Sequence, residues 1–488
     1  MSNSLMETRT IFQNISPLDH RYSLSEKELF NALVPWLSED GSIAACVKAE
    51  LALVKAHLTI RKKDISGIEA FCNALIIKPE EIYTEEAKTR HNIRALVNVL
   101  KKKVPPEIVS LVHLGATSAD ILDSALAWRM KGCCRTVVLP ALRRLEILLC
   151  DFVQREADTP QLGRTHGQYA VPITVGFAIS EYVSRLGKSI LEIQRLSGEL
   201  KGKLAGAVGA YNASTLIVPD PEELERIYLA ELDLEASEHS TQLVEPEYLL
   251  RLLLEYNTAF GIIANLADDL RNLQRSEIAE LRESFAIDQV GSSTMPQKRN
   301  PWNSEHVKSL WKTFMPRVIT FYMDQISEHQ RDLSNSASQR FIAEYINGFC
   351  LAINRMSSII EGLTVDHKRC NANLHSDTAS AVMAEPAYIL LAESGHKEAH
   401  EVIRKITLTA EREGFSFYQA LAGEKEIMRC IGEQLIRNKM ADPKADNPQD
   451  AAILFFNKPE NYCGLAAKKA AELAGKYRTL MKENNDAV

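Results

Sequence analysis

Two adjacent serines, Ser292 and Ser293, are followed five residues after the second by Lys298, in the stretch Gly291–Pro301, GSSTMPQKRNP. A serine hydroxyl is a poor base at its free pKa. A hydroxyl in such a loop needs neighbouring groups before it can do chemistry. The small residues of this stretch let the backbone approach an anion closely, and Lys298 and Arg299 add positive charge. The competing reading is a solvated turn between two helices. A second candidate is His166, in GRTHGQ (Gly163 to Gln168), placed between Thr165 and Gly167. Such a histidine suits proton transfer near neutral pH, or it is an ordinary surface or structural histidine. His91 in TRHN and His113 in HLGATSAD carry the same two readings. Thr117, Ser118 and Asp120 offer a compact set of hydrogen-bonding groups that would equally serve as a helix cap.

Two other signals carry less. HKEAH, His396 to His400, has the i, i+4 spacing of a metal-binding helix face but lacks the H-E-x-x-H order, so an exposed helix face is expected. The glycines of GKLAGAVG (Gly202 to Gly209) are not followed by G-K-[ST] and follow no convincing strand, which argues against a triphosphate or dinucleotide site.

The elements that must position these residues read as helices. Leu142, Leu145, Leu149 and Phe152 recur at helical steps, as do Ile263, Leu266, Leu270 and Leu273. A run from Val171 to Leu196, through Val175, Ile179, Val183, Leu186, Ile190 and Ile193, predicts a helix of about seven turns. Little strict alternation is present, so an all-α chain with long central helices is expected. Breaks fall at Val104-Pro105-Pro106, at the 202–221 connection and near Gly362 to Asp366. They suggest domains over 1–107, 108–365 and 366–488. Beyond the serine loop, Asn303-Ser304-Glu305 reads as a helix start, with Asn or Ser as the cap.

Composition bounds the function. The 488 residues can bury a large core, and 57 Lys and Arg against 64 Asp and Glu leave a net charge of −7, which disfavours a nucleic-acid partner. An anionic ligand must therefore meet a local cluster of cations. The nine cysteines are scattered, with no C-x-x-C, so neither a disulfide framework nor a zinc knuckle is implied, and reduced thiols in a cytosol fit best. No apolar run reads as a signal segment or a membrane span, so a cytoplasmic protein without a membrane partner is expected.

Taken together the stretches resemble the fumarase/aspartase superfamily and, within it, the adenylosuccinate lyase family. Gly291–Pro301 is similar to the superfamily's S-S-x-M-P-x-K-x-N signature. The narrower likeness is carried in order by SPLDHRY (Ser16 to Tyr22), TRHN, HLGATSAD, RTHGQ, GAVGAYNA, TQLVEP (Thr241 to Pro246) and QRDLSNSASQR (Gln330 to Arg340), with MAEPAY (Met383 to Tyr388) matching more loosely. The resemblance implies an all-α, three-domain fumarase/aspartase-like fold with a central long-helix bundle. It also implies a homotetramer with active sites shared between subunits. The implied reactions eliminate fumarate from adenylosuccinate and from the corresponding succinyl-carboxamide ribotide, with neither metal nor organic cofactor.

By the same resemblance Ser292 is the general base, His166 the general acid and Glu305 the carboxylate that supports the histidine. Arg21, Tyr22, Arg331, Ser336 and Arg340 would hold the nucleotide and its phosphate. Arg90, His91, Asn92, Thr117, Ser118, Gln242, Ser293, Lys298 and Asn303 would line the rest of the pocket. Such forked and small donors suit phosphate and carboxylate oxygens. Asn92 and Asn335 stand where acids are usual, His20 replaces a glycine, Gln297 a His or Tyr, and Tyr169 a proline. Other superfamily members, such as carboxymuconate cycloisomerase or argininosuccinate lyase, differ by lacking the cations a nucleotide phosphate needs. A helical scaffold without catalysis is the alternative of another class, supported by the two amides.

Overall fold

The computed structural model describes residues 10–286 and 288–483. Helix makes up 68% of the chain, and the strands among the described residues form three two-stranded sheets, which confirms the all-α class. The chain divides into two compact units. The first takes residues to Arg143, Lys188–Ile263 and Ser309–Arg355; the second takes Arg144–Gly187, Ala264–Lys308 and Met356 onward.

In the first unit, helix Glu39–Ile60 buries residues on nearly every side, from Ile43 to Leu58, because its middle is apolar all round. Ser38 starts it by accepting Gly41 N–H at 3.1 Å. Helix Asn92–Lys103 is amphipathic and ends where expected, with Val104 N–H closing on Leu100 before the two prolines. Helix Ser118–Cys133 opens with a capping box in which Thr117 N–H donates to Asp120 Oδ2 at 2.8 Å. Asp220, of the VPDP stretch, caps Pro221–Ala230 by accepting Glu223 N–H at 3.0 Å.

In the second unit, Leu145, Leu149 and Phe152 are buried, as are Leu266 and Leu270, so the predicted helix faces are core faces. The run expected as one helix from Val171 does not begin there. Gln168–Thr174 is a strand paired antiparallel with Pro160–Thr165, and the helix spans Val175–Gly198. Pro172 lacks the N–H a helix interior needs, and the β-branched Val171, Ile173 and Thr174 favour the extended chain. Among the described residues the strands Leu281–Arg282 and Thr364–Val365 pair as well, just after helix Ile342–Gly362 stops at its predicted break. His400 stands on helix Ala399–Glu413, edge-to-face on Tyr388 at 5.4 Å, whereas His396 lies before that helix, so the two do not share a helix face.

Glu146 is fully buried in this unit, and neither of its carboxylate oxygens has a hydrogen-bond partner. Burial holds its carboxyl well above the usual range, so it is carried as the neutral acid. A folded-state acid that binds its proton this tightly loses stability for the protein as pH rises above the ordinary value of 4.5. Glu146→Leu is therefore expected to raise stability at pH 7 by about 1–3 kcal/mol, with the gain shrinking below pH 4.5. Urea melts of both proteins at the two pH values measure it.

Candidate active site

Of the seventeen residues predicted for the site, the three assigned to catalysis all fall in the second unit, together with Ser293, Lys298 and Asn303. The other eleven fall in the first unit.

The hairpin 160–174 presents His166 at its tip. Thr165 pairs with Gln168, leaving His166 and Gly167 as a two-residue turn with φ of 53° and 74°. Positive φ at both positions is the mirror-image turn that matches the twist of paired strands. Glycine meets that demand without cost and histidine is among the side chains that tolerate it. The result is an imidazole exposed at the tip of a paired hairpin, rather than on a free loop. The hairpin is anchored by Glu280, which is fully buried and accepts from Arg164 Nη2 at 2.6 Å, Arg164 Nη1 at 3.0 Å, Gln161 Nε2 at 2.7 Å and Asn373 Nδ2 at 2.8 Å.

The serine loop is held by a local set of hydrogen bonds. Ser292 Oγ accepts main-chain N–H groups from Met295 at 3.1 Å and Thr294 at 3.4 Å. Those donors favour negative charge on that oxygen. The turn is tightened by Lys298 N–H to Met295 O at 3.0 Å, and closed by Asn300 Nδ2 to Gly291 O at 3.0 Å. A side chain at Gly291 would meet Lys298 O at 2.1 Å, which is why this position must be glycine. Lys298 and Ser293 are exposed. Arg299 lies over the Phe285 ring at 5.2 Å, so the two cations of the loop have different surroundings.

The helix after the loop begins at Trp302, ahead of both expected caps, so Asn303 and Ser304 lie within its first turn. The capping acceptor comes from elsewhere: Glu283 Oε1 takes Ser304 N–H at 3.1 Å and Ser304 Oγ–H at 2.5 Å. A carboxylate reaches further than a local serine and suits the positive end of a helix. Glu305 is exposed in the same first turn, where that end also favours its charge.

In the first unit, Arg21 and Tyr22 open the short helix Arg21–Ser25, which is followed by Glu26, bonded to Asn354 Nδ2 at 2.6 Å. Arg90 ends helix Pro79–Thr89 in the left-handed region, and His91 caps the next helix, its Nδ1 accepting Arg94 N–H at 3.3 Å. The neutral ring therefore carries its proton on Nε2. That main-chain contact, not Asn92, orients His91, and Asn92 is exposed at the first helical position.

Thr117 and Ser118 are held by a buried pair made of Asp120, which the sequence singles out, and Lys203, which it does not. Asp120 faces Lys203, both fully buried, while Lys203 Nζ also donates to Gly206 O at 3.1 Å. No sequence signal separates Lys203 from Lys201, two residues before it, whose ammonium instead reaches Glu235 at 2.6 Å near the surface. His113 is likewise tied inward, its Nδ1 2.7 Å from the buried Glu50.

Gln242 N–H donates to Gln330 O at 3.1 Å, which joins the TQLVEP and QRD stretches next to Arg331. Arg331 Nη2 donates to Asp324 O at 3.3 Å, and the side chain lines a cavity with Asp123, Asp324, Glu245 and Asn335. Burial pushes Asp123 up to about 6 and raises Asp324. An acid at 335 would add a further carboxylate to that cavity, which is a reason for the buried amide there. Ser336 and Arg340 follow in an exposed series of turns.

The sequence matches the lyase family over residues 20–313 and the adenylosuccinate lyase C-terminal family over residues 327–437. It is 31% identical to the adenylosuccinate lyase of Pyrococcus abyssi, covering 93% of this chain and 95% of that one. The chain belongs to the adenylosuccinate lyase family. A second member, from Pyrococcus horikoshii, is also 31% identical, over 96% of this chain and 98% of its own. The Bacillus subtilis member is 27% identical over 85% and 94%. The fold extends across the superfamily. A fumarate lyase from Mesorhizobium sp. BNC1 superposes with a TM-score of 0.77 at 19% identity, covering 92% of this chain and 97% of that one. A 3-carboxy-cis,cis-muconate lactonizing enzyme from Pseudomonas putida gives 0.77 at 24%, with the same coverage. Among the described residues no helix is long and apolar enough to cross a membrane.

Proposed function

We propose that this chain cleaves adenylosuccinate to AMP and fumarate, and the corresponding succinyl-aminoimidazole carboxamide ribotide of purine synthesis, by β-elimination. The observation that carries the reading is the pair of main-chain N–H groups on Ser292 Oγ, inside the loop that also bears Lys298. Ser292 as alkoxide takes a proton from the succinyl methylene, forming O–H as C–H breaks. The electron pair rests on the carbon beside a carboxylate, where Lys298 offsets the developing second negative charge. The pair then forms the fumarate double bond as the C–N bond breaks, and His166 returns a proton to the departing nitrogen. Glu305 supports His166 in the imidazolium form.

Arg21, Tyr22, Arg331, Ser336 and Arg340 take the nucleotide phosphate end. Arg90, His91, Asn92, Thr117, Ser118, Gln242, Ser293 and Asn303 line the remainder. The enzyme works as a cytoplasmic homotetramer with active sites shared between subunits, built from domains cut near residues 107 and 365. Exposed Ile319, Met323, Ile326 and Leu333 in one stretch of the first unit support such association.

Parallel incubation with adenylosuccinate, argininosuccinate and carboxymuconate tests the reading. Fumarate and AMP are expected from the first alone. Turnover of either of the others without the first would assign the chain to a different branch of the superfamily, and no turnover of any would support the non-catalytic scaffold.

A further inference from the structure

The turn that carries Gln242 is held from three sides, all within the first unit. Ser240 and Val244 pair as an isolated bridge, and Thr241 N–H donates to Leu243 O at 3.1 Å, which leaves Gln242 at the tip. On the Ser240 side, Gly209 lies so close that any side chain there would meet the Ser240 carbonyl oxygen. At the tip, Gln242 N–H reaches Gln330 O at 3.1 Å. On the Val244 side, the main-chain N–H donates to Asp123 Oδ2 at 3.0 Å. Asp123 stands three residues after Asp120, on the same face of helix Ser118–Cys133. The helix end that holds Thr117 N–H through Asp120 therefore also holds the stem of the Gln242 turn.

We propose that Asp123 is a positioning residue for substrate binding, whose carboxylate fixes the Gln242 turn through Val244 N–H. The inference rests on the assignment of Gln242 to the substrate pocket, and it holds whichever subunit's substrate that residue meets. A charge-assisted hydrogen bond is roughly twice as strong as a neutral one, so the turn is held less firmly once Asp123 takes up a proton. Burial raises this carboxyl to about 6; Asp120 acts in the same direction, and Val244 N–H, Lys203 and Arg331 oppose it. Lys201, Glu245 and Asp324 are the other charged groups lining its cavity among the described residues. Above about pH 6 the carboxylate grips the turn, and below it the neutral acid grips more weakly, so KM rises as pH falls.

The test compares wild type with Asp123→Asn and Asp123→Ala, each as the full chain, in adenylosuccinate cleavage from about pH 5 to about pH 8. Asparagine keeps an acceptor of the same shape without the charge. At the alkaline end its KM should lie about fivefold above wild type with kcat within about twofold, the mark of lost uniform binding. Towards pH 5 wild type loses its charge as well, and the two KM values should converge. A phosphate also titrates near pH 6, but the substrate is common to both proteins, so the ratio of the two KM values reports residue 123. A ratio that stays constant across the range would overturn the proposal, as would a loss confined to kcat. Asp123→Ala removes the acceptor, and its KM should be raised about tenfold at every pH. Hydrogen exchange of residues 240–244 gives a readout independent of turnover: faster exchange is expected in Asp123→Ala, and unchanged exchange would overturn the claim that Asp123 holds the turn. Should the alanine variant fail to fold, the asparagine profile decides alone. If wild type itself fails to cleave adenylosuccinate, the functional assignment falls, and the exchange data still decide whether Asp123 holds the turn.

Discussion

Replacing Ser292 with alanine is expected to lower kcat for adenylosuccinate cleavage by about three to four orders of magnitude, the upper part of the range for loss of a general base. Stability should change by less than about 1 kcal/mol, because the residue lies on a loop away from the core. The reason for so large an effect is local. The Oγ of Ser292 receives two main-chain N–H groups, and alanine leaves that donor pair facing no oxygen. Ser293→Ala removes the neighbouring, exposed hydroxyl and should cost far less. Steady-state kinetics with thermal melts on both variants decide the matter: equal losses at 292 and 293, or an unfolded Ser292→Ala, would contradict the assignment of the base.

The second large effect is expected in the first unit. Lys203→Met strands the Asp120 carboxylate in the core, without the ammonium it faces. Breaking a buried ion pair from one side costs about 3–5 kcal/mol, and a loss of that size in the unfolding free energy from urea melts is expected. Because Asp120 also accepts Thr117 N–H at 2.8 Å and Gly206 N–H at 3.3 Å, the loss should loosen the Thr117–Ser118 turn and raise KM in the fraction that remains folded. Adding Asp120→Asn should recover much of the stability, since a neutral amide needs no counter-charge. A single variant as stable as wild type would show that Lys203 is not the partner on which Asp120 depends.

These two expectations differ in how they could be reached. The proposal for Ser292 starts from the sequence, where the family resemblance assigns it the base and Gly291–Pro301 has the short, small, cationic composition that such a role needs. Lys203 could not be reached that way, because charge burial is a property of what surrounds a residue, and the elements around Lys203 come from positions near 120, 203 and 225. The same limit applies to His91, whose ring is oriented by Arg94 N–H and not by residue 92. It applies also to the helix after the loop, whose acceptor is Glu283 from 21 residues away.

The sequence by itself determined the helical class, the helix faces that become core, most of the breaks, and the family to which the chain belongs. Apolar periodicity, proline and small-residue motifs are local properties, and helices form from local hydrogen bonds. Only the tertiary structure decided that His166 sits on a two-residue hairpin turn, that Arg299 rests on an aromatic ring, and that Glu280 anchors the hairpin. Each of those depends on which distant groups come within about 3 Å of one another for a hydrogen bond, or somewhat further for a ring contact. A linear order of residues does not specify that before the chain has folded.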